Sequence, residues 1–447
     1  MAYISLLSSN RAFILAIAGA AIGLGNIWRF PYMAGEHGGS LFFVLYLLFV
    51  LLLGMPVMIS ELVIGRAGRA TPALSIRQLA VLSGGSRHWE KLAWLGTLAA
   101  LLILSFYCVV SGWALFYFTQ SVTGQLSQLS AHQAQNIFRT FLANPFSVIS
   151  FQLMFIVMTL GVSARNIVSG IEALNNLMMP LLYVILVILV MATSQFSGFP
   201  RALSYLFTPD WQQLKWSVAL EAMGHAFFTL ATGACCLMAY GAYMPDRQSV
   251  FKAAGVVIVL DLLVAVLTGL ATFSVVFSEG LAPASGPGLM FETLPVALGK
   301  LSGGVWLMPL FFLLLIIATW TSSVNLAEPL VVAIARIGKV SRKMAAMITG
   351  GLVWLPGLIP ALSFNVFDSV RTRSGKTLFD LFTAFPTDIL LPLTGFLILL
   401  FAGFVIDRKV LVVQLGIHRK LFQPWQVIVR YISPALVLLI FFWSWLH

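Results

Sequence analysis

Residues Gly19 to Pro31 read Gly-Ala-Ala-Ile-Gly-Leu-Gly-Asn-Ile-Trp-Arg-Phe-Pro, which sets three glycines, an asparagine and an arginine inside an otherwise apolar run. A helix in hydrocarbon tolerates such a break only where the freed backbone groups find partners, because each unsatisfied carbonyl or N–H costs several kcal/mol. Glycine packs helices closely at many membrane positions. Gly19, Gly23 and Gly25 together with Asn26 and Arg29 exceed what packing requires. The segment therefore predicts a binding site for ions and a polar solute at an unwound turn, and with it transport.

The surrounding chain is a membrane protein by composition. Of 447 residues 60% are hydrophobic and 9% charged, far below the roughly 25% charged residues of soluble domains. Apolar runs of about 20 residues predict an all-α membrane protein of 11 spans over 11–36, 40–65, 92–123, 146–163, 169–193, 216–241, 252–278, 304–335, 343–361, 377–402 and 424–446. A removable leader ending near Ala20 is the competing reading of the first run. Asn26, Trp28 and Arg29 just beyond it argue for a span.

The net charge of +11 reports orientation rather than affinity for nucleic acid. With the N-terminus cytoplasmic, 18 Lys and Arg fall in or beside the inner segments and 7 in the outer ones, with Arg29 apart. Inner clusters include Arg66, Arg69, Arg77, Arg87 and Lys91, then Arg336, Lys339, Arg342 and Lys343, then Arg408, Lys409, Arg419 and Lys420. This is the positive-inside bias, and an odd number of spans puts the C-terminus outside. Cys108, Cys235 and Cys236 all lie in apolar runs and imply no disulfide framework. Without clustered His, Cys or carboxylates at one depth, enzymatic chemistry has no candidate centre.

A second interruption lies in the sixth run, at Thr229, Leu230, Ala231, Thr232, Gly233 and Ala234. Broken helices in corresponding positions of two five-helix halves point to an inverted-repeat transporter with its site near the midplane. One transporter domain over 1–447 would then contain a first repeat over 11–193, a second over 216–402, and an added helix over 424–446. In the fifth run Gly170 precedes Pro180 by a spacing that allows either transient unwinding or an ordinary kink.

At these residues the chain resembles the neurotransmitter:sodium symporter family, in particular its bacterial amino-acid transporters with a leucine-transporter-like fold. The likeness is carried by Gly23 to Tyr32, Gly38-Gly39, Gly54-Met55-Pro56, Glu61, Gly65-Arg66, Phe227-Phe228-Thr229 and Thr321-Ser322-Ser323, and runs over essentially the whole chain. It implies two sodium sites and no other cofactor. Ala21, Asn26, Thr229 and Asp261 would surround one ion together with the substrate carboxylate. Gly19, Ile22, Ala318, Thr321 and Ser322 would hold the second, although such hydroxyls often bond back to their own helix.

The resemblance also implies a substrate site. N–H groups of Leu24 and Gly25, with the Tyr107 hydroxyl, would meet a carboxylate, and carbonyls of Ala21, Phe228, Thr229 and Ala231 an ammonium. Ile103, Phe228, Thr232, Ala234, Ser323 and Leu326 would line the side-chain pocket. Relatives that carry amines without a carboxylate have an aspartate where this chain has Gly23, which favours an amino acid, and the mostly apolar pocket, with Ala234 where some relatives have a bulkier residue, suits a neutral, hydrophobic or aromatic one. Arg29 and Asp380 would close an outer gate with Tyr107 and Phe228. Asp261, where chloride-dependent relatives have asparagine, would supply a permanent charge and make transport chloride-independent; a protonated Asp261 bonded to a neighbouring helix is the alternative. His225 reads either as a pH-sensitive gate residue or as a hydrogen-bonded wall residue. Ile4, Leu7 and Arg336 align with the family's inner gate but lack its residue types, so no inner gate is assigned.

The expected function is sodium-coupled symport of such an amino acid into the cell by alternating access. A proton-coupled carrier of the same fold and a non-transporting amino-acid receptor are the alternatives. Short outer loops without an Asn-x-Ser/Thr acceptor point to a bacterial inner membrane.

Overall fold

The computed structural model describes residues 6–281, 289–300, 303–372, 375–416 and 419–446, so Ile4 lies outside the described residues. Among the described residues eight helices are long and apolar enough to cross a membrane: Ser40–Gly68, Arg87–Val122, Pro145–Ser163, Val168–Thr193, Val250–Ser278, Gly304–Ile337, Arg342–Ala361 and Leu378–Val405. Asn10–Ala21 and Gly25–Glu36 form one further span, bent by 50° at its break. Trp216–Thr229 and Cys236–Ala242 make the broken sixth span. The helical run from Arg419 to Leu446 falls where the sequence reading expects the eleventh. Every span agrees with the sequence reading to within five residues.

Residues on the outer faces are as apolar as the core. Leu51, Val157, Leu177, Val259 and Leu355 are exposed, which suits a hydrocarbon surround and would be costly in water.

Several spans widen locally into i→i+5 turns, and prolines account for most of these places. Gly25–Arg29, Val50–Gly54 and Ile428–Ile432 lie just before Pro31, Pro56 and Pro434, while Phe385–Leu390 contains Pro386. Proline lacks the N–H of an i→i−4 bond and its ring collides with the carbonyl four residues back; a wider turn relieves both.

The two breaks have different local causes. In the first span the helix stops at Ala21 because Ile22 is extended, at φ −80° and ψ 111°. In the sixth, Ala231 (φ 50°), Gly233 (φ 91°) and Cys235 (φ 58°) are all left-handed, a region that disfavours L side chains. Gly233 is required on a second count, since a Cβ there would stand 2.6 Å from the Leu391 carbonyl. The strained turn is held by Glu61 of the second span, whose carboxylate accepts from Gly233 N–H at 2.7 Å and Met238 N–H at 3.1 Å. Below the break the sixth span presses on the second through Gly65 and Gly241, where added Cβ atoms would meet Met238 and Leu62 carbonyls at 1.9 and 2.5 Å.

Candidate functional site

The two breaks face each other across a narrow cavity lined by Ala20, Ala21, Gly23, Leu24, Gly25, Ile103, Tyr107, Phe228, Thr229, Ala231, Ala234, Ser322, Leu326 and Leu391. Ten of the twelve substrate positions expected from sequence border it. Thr232 and Ser323 do not. The Thr232 hydroxyl donates to the Phe227 carbonyl at 2.9 Å, and the Ser323 hydroxyl is engaged by Thr159 and the Trp320 carbonyl, each at 2.9 Å. Ser322 takes the wall position instead, beside Gly23, where a Cβ would be 2.3 Å from the Tyr107 hydroxyl oxygen. That hydroxyl accepts from Leu24 N–H at 3.1 Å, so the two groups stand together at the start of the second half-helix of the first span.

Beside this cavity lies a buried cluster around Asp261. Asn26 Nδ2 donates to its Oδ1 at 2.8 Å, the Tyr46 hydroxyl to Oδ2 at 2.8 Å, and the Thr229 hydroxyl to Oδ1 at 3.4 Å. Asn26 Oδ1 accepts from Gly23 N–H at 3.3 Å, which ties the cluster to the unwound turn. One carboxylate with hydroxyl, amide and main-chain oxygens is a donor set for hard cations rather than transition metals. Tyr46 was not anticipated from the sequence; a lone tyrosine in the apolar second span carries no periodic signal.

At the second candidate cluster Thr321 Oγ1 donates to carbonyls of Ile317 and Ala318, both at 3.1 Å, and Ser322 Oγ reaches across to the Ala20 carbonyl at 3.3 Å. Each hydroxyl spends its proton on a carbonyl, which leaves its lone pairs free to accept. Hydroxyls in membrane helices commonly bond their own helix in this way, but the Ser322 bond joins two spans.

On the side of the cavity away from the basic end of the bundle, the Arg29 guanidinium stands 4.9 Å over the Phe228 ring. Asp380 is not its partner. The Asp380 carboxylate closes a capping box with Thr377, accepting from its N–H at 2.9 Å and its hydroxyl at 2.8 Å. The carboxylates whose charge reaches Arg29 are Asp388 and Glu221. Asp380→Ala is therefore expected to lower stability by about 0.5–2 kcal/mol, the loss of a cap, and to leave substrate release at the wild-type rate. Asp388→Asn is expected to speed release, and dissociation of labelled substrate from the two variants compares them. His225, fully buried, packs against Tyr46, Phe42 and Phe30 at ring distances of 4.9, 5.7 and 6.1 Å. Neither ring nitrogen has a hydrogen-bond partner, so it is an aromatic-cage residue rather than a hydrogen-bonded wall.

The basic end of the bundle is closed by contacts that the sequence did not disclose. Leu7 N–H donates to the Tyr243 carbonyl at 3.0 Å, and Ser8 donates to Glu172 through its N–H at 3.0 Å and through its hydroxyl. The Tyr243 hydroxyl donates to Glu328 at 2.7 Å, and Arg342 grips both oxygens of the same carboxylate at 3.0 and 2.5 Å. Arg336, at the position aligned with a family gate residue, is outside this network; it borders a separate surface hollow with Val332 and Tyr243.

The comparisons with known proteins agree with this geometry. The model of the sodium:neurotransmitter symporter family matches residues 6–144 and 144–447. An uncharacterised sodium-dependent transporter of Bacillus subtilis, YhdH, is 33% identical over 97% of this chain and 96% of its own. The sodium-dependent serotonin transporter of Drosophila melanogaster is 26% identical over 97% of this chain and 75% of its own. The crystal structure of MhsT in complex with L-phenylalanine superposes with a TM-score of 0.90 at 36% identity, covering 98% of this chain and 99% of that one. The chain belongs to the sodium:neurotransmitter symporter family of sodium-dependent membrane transporters.

Proposed function

We propose that the protein imports a neutral, hydrophobic or aromatic amino acid together with sodium, by alternating access around the cavity between the two breaks. The observation that carries this reading is the juxtaposition of the Leu24 N–H and Tyr107 hydroxyl with the Asp261 cluster. A substrate carboxylate at the former would stand next to a cation at the latter. Ion and substrate would share ligands, so each raises the affinity for the other by the same factor. The walls of the cavity are mostly aliphatic. MhsT, by its title a phenylalanine complex, shares the fold at 36% identity.

In this reading sodium occupies two sites, one at Ala21, Asn26, Thr229 and Asp261 and the other at Gly19, Ile22, Ala318, Thr321 and Ser322. Arg29 over Phe228 closes the outer side. The N-terminus and the Ser8–Glu172 and Glu328–Arg342 contacts face the cytoplasm of a bacterial cell, and the C-terminus faces outward. Movement of spans 1, 2, 6 and 7 against the rest would open the sides alternately. Span 11 is peripheral to the repeats over 11–193 and 216–402.

Binding of labelled phenylalanine, tryptophan, leucine and alanine to purified protein in sodium and in potassium tests the proposal. Sodium-dependent binding with alanine weakest is expected. Equal binding in potassium would overturn the coupling, and preference for alanine the substrate class.

A further inference from the structure

Two buried amide oxygens next to the second ion cluster have no hydrogen-bond donor, Asn175 Oδ1 on the fifth span and Asn325 Oδ1 on the eighth. Both residues are fully buried. Each NH2 is committed to its own helix, Asn175 Nδ2 to the Ile171 carbonyl at 2.8 Å and Asn325 Nδ2 to the Thr321 carbonyl at 2.7 Å. That commitment fixes which end of each amide is oxygen, and leaves two acceptors without protons. A buried acceptor with no donor is unfavourable, and leucine would fill either position without that penalty. The two amides meet at Gly19 of the first span. A point one Cβ out from Gly19 is 2.0 Å from Asn175 Oδ1 and 3.2 Å from Asn325 Nδ2.

These positions form a column. Asn325 follows Thr321 by one helical turn and bonds its carbonyl, so it hangs directly from the Thr321–Ser322 cluster toward the basic end. Asn175 stands one turn from Glu172 on the same face of the fifth span, and Glu172 is capped by Ser8. Polar groups therefore continue from the second cluster, through the two side-chain amides, to a carboxylate closed by the N-terminal segment. Hard monovalent cations take such neutral oxygens as ligands, and one ion satisfies several at once.

We propose that the Asn175 and Asn325 carbonyls form a transit station for sodium leaving the second site toward the cytoplasm, with the Ser8–Glu172 contact as its latch. The station rests on the sodium-coupled reading above. It holds the ion only in passage, so it acts on rate and not on equilibrium affinity.

The test uses the full chain in proteoliposomes with an entrapped sodium indicator. Asn175→Leu and Asn325→Leu are expected to leave the sodium dependence of amino-acid binding within about threefold of wild type, and to slow luminal sodium release in a single turnover about tenfold, the equivalent of one lost polar contact at the barrier. Release at the wild-type rate would overturn the station. So would a sodium affinity lowered about tenfold or more, because the asparagines would then belong to the binding site itself. Asn175→Asp keeps size and an oxygen and covers the case in which the leucine variants do not fold. It should enlarge the thermal stabilisation given by sodium over potassium without amino acid, and an unchanged difference would also overturn the station. Wild-type protein that binds amino acid equally in potassium would sink the sodium reading instead, so the two failures are distinct.

Discussion

Asp261→Asn is expected to abolish sodium-dependent amino-acid binding while leaving the fold intact. The substitution preserves shape: its amide oxygen can still accept from Asn26, which holds Oδ1 at 2.8 Å, and its NH2 in place of Oδ2 can donate to the Tyr46 hydroxyl oxygen, which now stands 2.8 Å from that position. What it removes is a full negative charge at a position with no exposure to solvent. A cation placed there would lose its countercharge in a low-dielectric site, a change of about 3–5 kcal/mol in buried ion pairs, or two or more decades in affinity. Titration of labelled substrate binding with sodium reads this directly, with elution as a monodisperse species and the melting temperature in potassium as controls for folding. Binding in Asp261→Asn within about threefold of wild type, well under 1 kcal/mol, would show that the carboxylate is not an ion ligand. The same charge argument makes wild-type uptake indifferent to replacement of chloride by gluconate. Uptake that collapses in gluconate would mean that a mobile anion, and not Asp261, supplies the charge.

Both breaks were legible in the sequence because their chemistry is local. Gly19, Gly23, Gly25 and Asn26 interrupt one apolar run, and the stretch from Thr229 to Ala234 interrupts another. The span limits were legible for the same reason, since hydropathy integrates over neighbours. Side-chain direction was less so. Thr232 and Ser323 are small hydroxyls that turn to nearby carbonyls, a choice that spacing does not reveal. Asp380 illustrates a signal that competes with family resemblance: Thr377-Leu-Phe-Asp380 has the spacing of a capping box, and the structure forms one. Asp388, about two turns further on, is one of the carboxylates whose charge reaches Arg29. The closing contacts of the basic end were illegible because they join distant stretches. Ser8 and Glu172 are 164 residues apart, and Tyr243 and Glu328 are 85 apart. Glu61, Glu172 and Glu328 did carry a general warning, since a carboxylate in a span needs a partner, but the sequence does not say which.

The Glu328–Arg342 pair allows structure and gating to be separated. Glu328 is completely buried and the Arg342 side chain is 22% exposed. Besides its two bonds to the carboxylate, Arg342 donates through Nε to carbonyls of Ser163 at 2.8 Å and Arg165 at 2.6 Å. The pair thus joins the fourth, eighth and ninth spans, and Tyr243 adds the sixth-span side. Arg342→Ala leaves a buried carboxylate without its cation, a defect worth about 3–5 kcal/mol, and its melting temperature is expected to fall accordingly. Replacing both partners, Glu328→Met with Arg342→Met, removes the buried charge altogether, and such replacements are often neutral or stabilising. The double variant should therefore recover most of the lost stability. It should not recover closure, because Tyr243 loses its carboxylate acceptor and the fourth span its tie to Arg342. Cys235 and Cys236, buried at the start of the second half of the sixth span, provide native probes. Both variants should label faster than wild type with a hydrophilic thiol reagent applied from the cytoplasmic side. A double variant that regains stability and shields its cysteines as well as wild type would assign the pair to folding alone.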